Sequence, residues 1–351
     1  MGRRTGDSLA PLILLDFIPA KMIPLEGASH APLRGTIGAM QITTRPLLLS
    51  ELKEAERICN LAFGTFLGHP DPERFMAGHD YIRSRWNSSP GSAFAAEAEG
   101  RLVGSNLATN WGSFSFFGPL TVDPKFWNQK IGSALMHPVL GCFEHWECRL
   151  QGLFTFAQSS KHVGLYEKFG FWPRFITKIV ERPVSEGASQ PGLLFSTLSQ
   201  ALQKEALTAC REVTDSVFEG LDLSGEIRSL DEQGLGEVVL IQDNRSISGF
   251  AICHCGSGTE AGADRCYIKF AAVRPGLTPD TILLRLLSAV EHLAQSKALM
   301  QIAAGVNTGR ERIARLMAEL GFKTLTQGLA MHRPNDAGFS RRDAFVLDDW
   351  R

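Results

Sequence analysis

The sequence predicts a mixed α/β chain of two successive domains, each a mostly antiparallel sheet flanked by helices. Three observations carry this. The chain has 351 residues, more than one hydrophobic core usually organises. Short landmarks recur in order: "VDP" (122–124) returns as "VRP" (273–275), and "LYEKFGF" (165–171) returns as "LMAELGF" (316–322). Val122 and Val273 are 151 residues apart, as are Gly170 and Gly321, while "RLVGS" (101–105) matches "SISGF" (246–250) at 145. In each half, strand-like runs precede a helix–strand–helix pattern.

The elements follow in order. "MQITTRP" reads as a strand. "LSELKEAERICNLAFGTF" places Leu52, Ala55, Ile58, Leu61 and Ala62 on one helical face. "DPERFMAGHDYIRSRW" reads as a helix opened by Asp71 as cap and Pro72 at its first position. "SAFAAEAEG" and "RLVGSNLATNWG" read as two strands joined at Glu99-Gly100, and "FSFFGPLTV" as a third. The helix after Gly132 buries Ile131, Leu135, Val139, Cys142, Phe143 and Trp146, with a kink expected at Pro138. "LFTFA" is a buried strand, "SSKHVGLYEKF" a serine-capped helix and "PRFITKIVERP" a strand. The second half opens with a helix over 199–218. Strands follow at 237–242, 248–255 and 265–273, then a helix at 281–299, a strand at 300–304 and a helix at 310–320. The domains are expected at 40–183 and 193–335. A flexible extension (1–39), a linker (184–192) and a tail (336–351) complete the chain.

Hydrophobic residues make up 44% and charged residues 21%, a globular composition. The net charge of −1 argues against nucleic acid as a partner. No stretch is long and apolar enough to span a bilayer, so no membrane partner is expected. Arg3 and Arg4 precede "LAPLILLDFI", but Asp16 interrupts it and no small-x-small cleavage site follows, so a secretory signal is not expected. Seven cysteines without a CxxC pair read as reduced thiols of a cytoplasmic protein, and Cys253-His254-Cys255 lacks a second ligand pair for a metal.

"LTVDPKFWNQKIGSAL" (120–135) carries the functional signal. A strand stops at Pro124, a polar loop follows, and a helix opens on Gly132. A helix N-terminus presents unpaired N–H groups and a positive dipole end. A glycine there lets a phosphate approach the backbone, with Lys130 as a point charge and Ser133 as an added donor.

Together, Val122-Asp123-Pro124, "IGSAL" (131–135) and "LYEKFGF" (165–171) resemble the GNAT superfamily of acyl-CoA-dependent N-acyltransferases, in its order and spacing. The resemblance covers about 40–183 well and 193–334 as a degenerate copy, a tandem form. It implies that acetyl-CoA or another acyl-CoA is the co-substrate, with no metal. Its diphosphate would rest on the amides of Asn128, Gln129, Lys130, Ile131, Gly132 and Ser133, and its pantetheine arm would pair with Leu120, Thr121 and Val122. The Val122 amide would polarise the thioester carbonyl, and Tyr166 would protonate the departing thiolate. The implied acceptor is a small-molecule or peptide amine, with Phe63, Phe66, His69 and Asp71 near its pocket; an oligomer stays open. The alternative is a non-catalytic acyl-CoA-binding regulatory or interaction protein.

The pattern is incomplete. Trp127 stands where the family has Arg or Gln, and Lys130 where it has a glycine. No Asp or Glu lies within 114–122, which leaves Glu97, His69, Asp71, His162 or a water chain as base. Moved by 151 positions, Tyr166, Gly132, Lys130 and Ser133 become Met317, Leu283, Thr281 and Leu284. The second domain is therefore expected to have lost acyl-CoA binding and to serve as lid, acceptor wall or interface.

Overall fold

A computed structural model describes residues 41–187, 189–243 and 246–351. The extension expected over 1–39 lies outside the described residues. The first half runs β1 (Ile42–Pro46), α1 (Leu52–Phe66), α2 (Ile82–Ser88), β2 (Ala93–Ala98), β3 (Arg101–Trp111), β4 (Phe114–Phe117), β5 (Thr121–Val122), α3 (Ile131–His145), β6 (Leu150–Thr155), α4 (Ser160–Glu167) and β7 (Trp172–Pro183). The second runs β8 (Leu193–Leu194), α5 (Gln200–Val217), α6 (Ser224–Gln233), β9 (Gly236–Asp243), β10 (Ser246–Cys255), β11 (Arg265–Val273), α7 (Pro279–Ser296), β12 (Gln301–Asn307), α8 (Glu311–Glu319), β13 (Lys323–Arg333) and β14 (Val346–Asp348). This is the expected class: a mixed, mostly antiparallel sheet flanked by helices.

The helix expected over 71–86 is shorter. Only Ile82–Ser88 is α-helical, after a 3-10 turn at Pro72–Arg74, and the Asp71 side chain caps nothing. Gly78 sits at φ +88°, which ends any helical run. The backbone there bonds instead to the second half: Asp80 N–H donates to Thr259 O at 2.9 Å, and Gly78 O accepts from Gly258 N–H at 2.8 Å. The strand expected over 114–122 is divided at Gly118, whose φ of +147° only glycine adopts readily. Helix α3 continues through Pro138.

Among the described residues fourteen strands join one sheet, in the order β1-β2-β3-β4-β6-β13-β7-β12-β11-β10-β9-β8, with β5 on β3 and β14 on β11. The centre of this order exchanges strands between the halves. β13 pairs antiparallel with β6 of the first half, and β7 with β12 of the second. β7 and β13 also pair with each other. Parallel pairing repeats at the 151-residue interval: Phe114 faces Leu150, and Arg265 faces Gln301.

Apolar side chains alternate across the sheet, as the two-residue strand period requires. Phe117 joins Met136, Val139 and Phe143 of α3 on one face; Phe114 and Phe116 join Val213 and Ile227 of α5 and α6 on the other. That second cluster contains residues of both halves, with Trp111 against Phe270 at 5.4 Å. The last residues, read from the sequence as a tail, are also interior: Val346, Leu347 and Asp348 are buried. Among the described residues no helix is long and apolar enough to cross a membrane.

Candidate active site

β5 has one paired edge. Gly104 of β3 faces Val122 and Ser105 faces Thr121. The strands approach so closely that a Cβ on Gly104 would lie 2.6 Å from Thr121 O. Asp123 N–H donates to Val103 O at 2.9 Å. Successive N–H groups of a strand point in opposite directions, so that of Val122 faces away from β3. On that side β4 pairs with β6 only through Phe116, and the two then diverge. The Val122 carbonyl accepts from Trp127 Nε1 at 2.8 Å, which gives Trp127 a structural role in tying the loop to the strand.

The loop leads into α3. Trp127 N–H is taken by Pro124 O, but among the described residues nothing accepts from the backbone N–H of Asn128, Gln129, Lys130, Ile131, Gly132 or Ser133. Asn128 and Lys130 have φ of 67° and 63°, a left-handed alternation that gathers successive amides into an anion-binding concavity. Lys130 is the helix N-cap and is itself in the left-handed conformation. Lys161 Nζ donates to Asn128 Oδ1 at 2.8 Å, so the start of α4 lies against the loop with a second cation. The side chains of Leu120 and Leu165 flank Gly132. The set is suited to a diphosphate: six unpaired donors and two cations at the positive end of a fifteen-residue helix.

Tyr166 is buried in α4, 5.7 Å from the ring of Phe117. Burial pushes its phenol up to about 12, with the neighbouring Thr155 hydroxyl working in the opposite direction. His162 packs between Phe66 (4.8 Å) and Phe156 (5.9 Å), while Phe63 lies 6.0 Å from Phe156. The end of α1 thus meets the start of α4. Burial, and then Lys161, lower the His162 pKa, and its Nδ1 lies 2.7 Å from Ser159 Oγ. Of the other base candidates, Glu97 is held by Arg45 Nε at 2.8 Å, and His69 Nδ1 meets the backbone of Asp71 at 2.7 Å. Of these candidates, among the described residues, His162 is the one carried by a helix that also touches the loop before α3.

Sequence reasoning missed a buried ion network between the halves. Arg85 donates from Nε to Glu260 Oε1 at 2.8 Å and from Nη1 to Gly118 O at 2.8 Å. Lys269 Nζ lies 2.8 Å from both Glu260 and Glu226, and Trp111 Nε1 donates to Glu226 at 3.1 Å. Burial would raise the Glu260 carboxyl, but Arg85 and Lys269 outweigh it and hold it far below its usual range. Glu260 lies in the connection from β10 to β11, where the first half has only two residues between β3 and β4. The change of offset from 145 to 151 was its sequence signal: the stretch between those two landmarks is six residues longer in the second half. A cavity of about 430 Å³ lies beside this network, lined by Arg85, Asn110, Asp222, Glu226 and Lys269 among others and by none of residues 127–133. Among the described residues no group of three or more His, Cys, Asp or Glu could hold a metal ion.

Residues 55–171 match the family described as Acetyltransferase (GNAT) family, the span that holds the open strand edge, the loop and Tyr166. Residues 55–171 are thus similar to a GNAT acetyltransferase domain. In solved structures it is similar to a Pyrococcus horikoshii protein assigned as an acetyltransferase, with 12% identity and a TM-score of 0.64 over 92% of this chain and 98% of that one. It is also similar to a GCN5-related N-acetyltransferase from Sphaerobacter thermophilus (14% identity, TM-score 0.53, 83% and 95%). A tandem GNAT protein from the clavulanic acid biosynthesis pathway shows 11% identity and a TM-score of 0.53 over 83% and 98%. These likenesses concern the fold. No match was found among the curated proteins.

Proposed function

We propose that the first half is an acyl-CoA-dependent N-acyltransferase acting on a primary amine, with acetyl-CoA the donor that the family match favours. The observation that carries this is the run of six unpartnered amides at 128–133, continuous with the free edge of β5. When bound, the co-substrate supplies an activated acyl thioester. The chain's own residues do the rest. The amides of Asn128, Gln129, Lys130, Ile131, Gly132 and Ser133, with the Lys130 and Lys161 ammonium groups, hold the diphosphate. Leu120, Thr121 and Val122 offer a strand edge to the pantetheine arm, and the outward Val122 N–H serves as an oxyanion donor. Tyr166 holds the proton for the leaving sulfur. The aromatic wall of Phe63, Phe66 and Phe156 excludes water near His162, which is neutral at pH 7 and can accept a proton. The second half binds no acyl-CoA in this reading.

One observation favours the non-catalytic alternative. A phenol raised to about 12 is a weaker acid than a thiol of pKa about 8.5, so proton transfer to sulfur runs uphill in the site as it stands. Thiol release with a panel of amines separates catalysis from binding alone. The cofactor assignment is tested by thermal denaturation with acetyl-CoA of the wild type beside Gly132→Glu, which puts bulk and negative charge at the helix start. Stabilisation of the wild type only is expected, about 2.7 kcal/mol at a hundredfold excess over Kd. Equal stabilisation of both would remove the phosphate loop from the site.

A further inference from the structure

In the second half, the strand edge corresponding to β5 is occupied by the chain itself. β11 pairs with β12 from Arg265 to Ile268. The two then part, and β14 takes the vacated edge: Phe270 faces Asp348, Ala271 faces Leu347 and Ala272 faces Val346. Val273, the counterpart of Val122, donates its N–H to Phe345 O at 3.0 Å. A peptide carbonyl thus meets the amide that in the first half is free. The segment is wedged against β12 as well, since a Cβ on Gly305 would come within 2.3 Å of Asp349 Cβ. The fully buried Arg310 clamps it through Nη1, to Val346 O at 3.0 Å and Asp348 Oδ1 at 2.7 Å.

The course of the segment matters as much as its pairing. It enters beside the start of α7, the counterpart of the phosphate-loop helix. There Arg312 pairs with Asp280, lies over Phe345 at 5.3 Å and donates its N–H to Arg342 O. It then runs along β11 to the point of divergence and emerges at Arg351. The Arg351 carbonyl accepts from Arg85 Nη2, and the same guanidinium holds Gly118 O through Nη1 and Glu260 through Nε. Gly118 is where β4 turns toward β5 and the first half's cleft opens.

We propose that residues 344–351 are an intramolecular stand-in for an acyl-CoA arm: they permanently load the second half, and Arg85 relays their fixed position to the Gly118 turn of the first. The loading follows from the pairing alone. The relay rests on the reading of the first half as the acyl-CoA site, and it makes Arg85 a positioning residue. A strand tethered to its groove competes at high effective concentration with any free ligand, so the groove stays closed to CoA.

Hydrogen exchange of the full chain with and without acetyl-CoA tests the loading. Amides at 270–273 and 345–348 are expected to be protected without ligand and unchanged by it, while 120–122 and 128–133 gain protection. Ligand-dependent protection at 270–273 would overturn the loading. If 120–133 does not respond but 270–273 is protected from the start, the loading is supported and the first-half reading fails. For the relay, Arg85→Lys keeps a cation against Glu260 and loses the fork to Gly118 and Arg351. Measured by calorimetry on folded protein, acetyl-CoA affinity is expected to fall about tenfold with protection at 270–273 intact. A lowered Tm with unchanged affinity, which a merely structural role would produce, would overturn the relay.

Discussion

The two halves present the same strand edge in opposite conditions. In the first, the Val122 N–H faces a divergence between strands, and six loop amides beyond it lack partners among the described residues. In the second, Val273 is bonded to Phe345, and Pro279 stands 151 residues after Asn128, where it has no N–H to offer. Leu283 and Met317, the counterparts of Gly132 and Tyr166, are buried in the core. Yet strand pairing is preserved to the residue, Phe114 with Leu150 and Arg265 with Gln301. Fold and chemistry are thus separable. Register depends on many backbone bonds and an apolar pattern, and a one-residue slip would turn every side chain to the wrong face. A phosphate site depends on a few free amides, and a bulky side chain or a proline removes it without disturbing the sheet.

The comparison breaks most severely if the halves are uncoupled. Glu260→Gln leaves Arg85 and Lys269 buried with too little negative charge. Urea denaturation is expected to show a loss of about 3–5 kcal/mol. A loss below about 1 kcal/mol would mean that the network does not hold the halves together.

Acid tests the same junction. Burial, and then Lys269, push the His254 pKa down to about 4, and its Nδ1 accepts from Glu260 N–H at 3.3 Å. The unfolded chain, with a His pKa near 6.5, binds the proton first. Stability from this group is complete above about pH 6.5 and declines as the pH falls to about 4, by on the order of 3 kcal/mol. The Glu260 carboxyl, also depressed, adds a further loss below about pH 4.3. Denaturation midpoints across pH 7 to 4 check this, and His254→Gln should flatten the upper part of the curve.

Tyr166→Phe sharpens the contrast with Met317. Turnover is expected to fall about a hundredfold while acetyl-CoA affinity changes less than twofold. Unchanged turnover would make the two residues equivalent as packing. The smallest effect concerns Lys130, held at φ 63°. Lys130→Gly relieves the left-handed backbone, so stability should shift by no more than about 1 kcal/mol, while acetyl-CoA binding weakens a few-fold with the lost charge. Tighter binding would show that the lysine obstructs the loop.

Much of the local geometry over 120–133 was legible beforehand, because a strand end, a loop and a helix start are local in sequence. The amides of 128–133 are free for the reason the pattern suggests, that the first turn of a helix has no internal acceptor. Other parts depended on distant contacts. The helix expected over 71–86 failed because the backbone near Asp80 bonds to Thr259, 179 positions further on. Trp127 gave no sign that its indole would reach back to Val122.

Periodicity, repeated spacing and one glycine at a helix mouth thus determined the mixed α/β class and pointed to the loop before α3, since all three act over a few residues or through the spacing of repeated landmarks. Which strand lies beside which was decided in three dimensions. β13 lies beside β6 and β7 beside β12, pairings across the two halves that no local pattern announces. The filling of the second groove by β14 was settled in the same way. Three residues carry too little pattern to announce a strand, and their burial exists only once β11 and β12 have already parted.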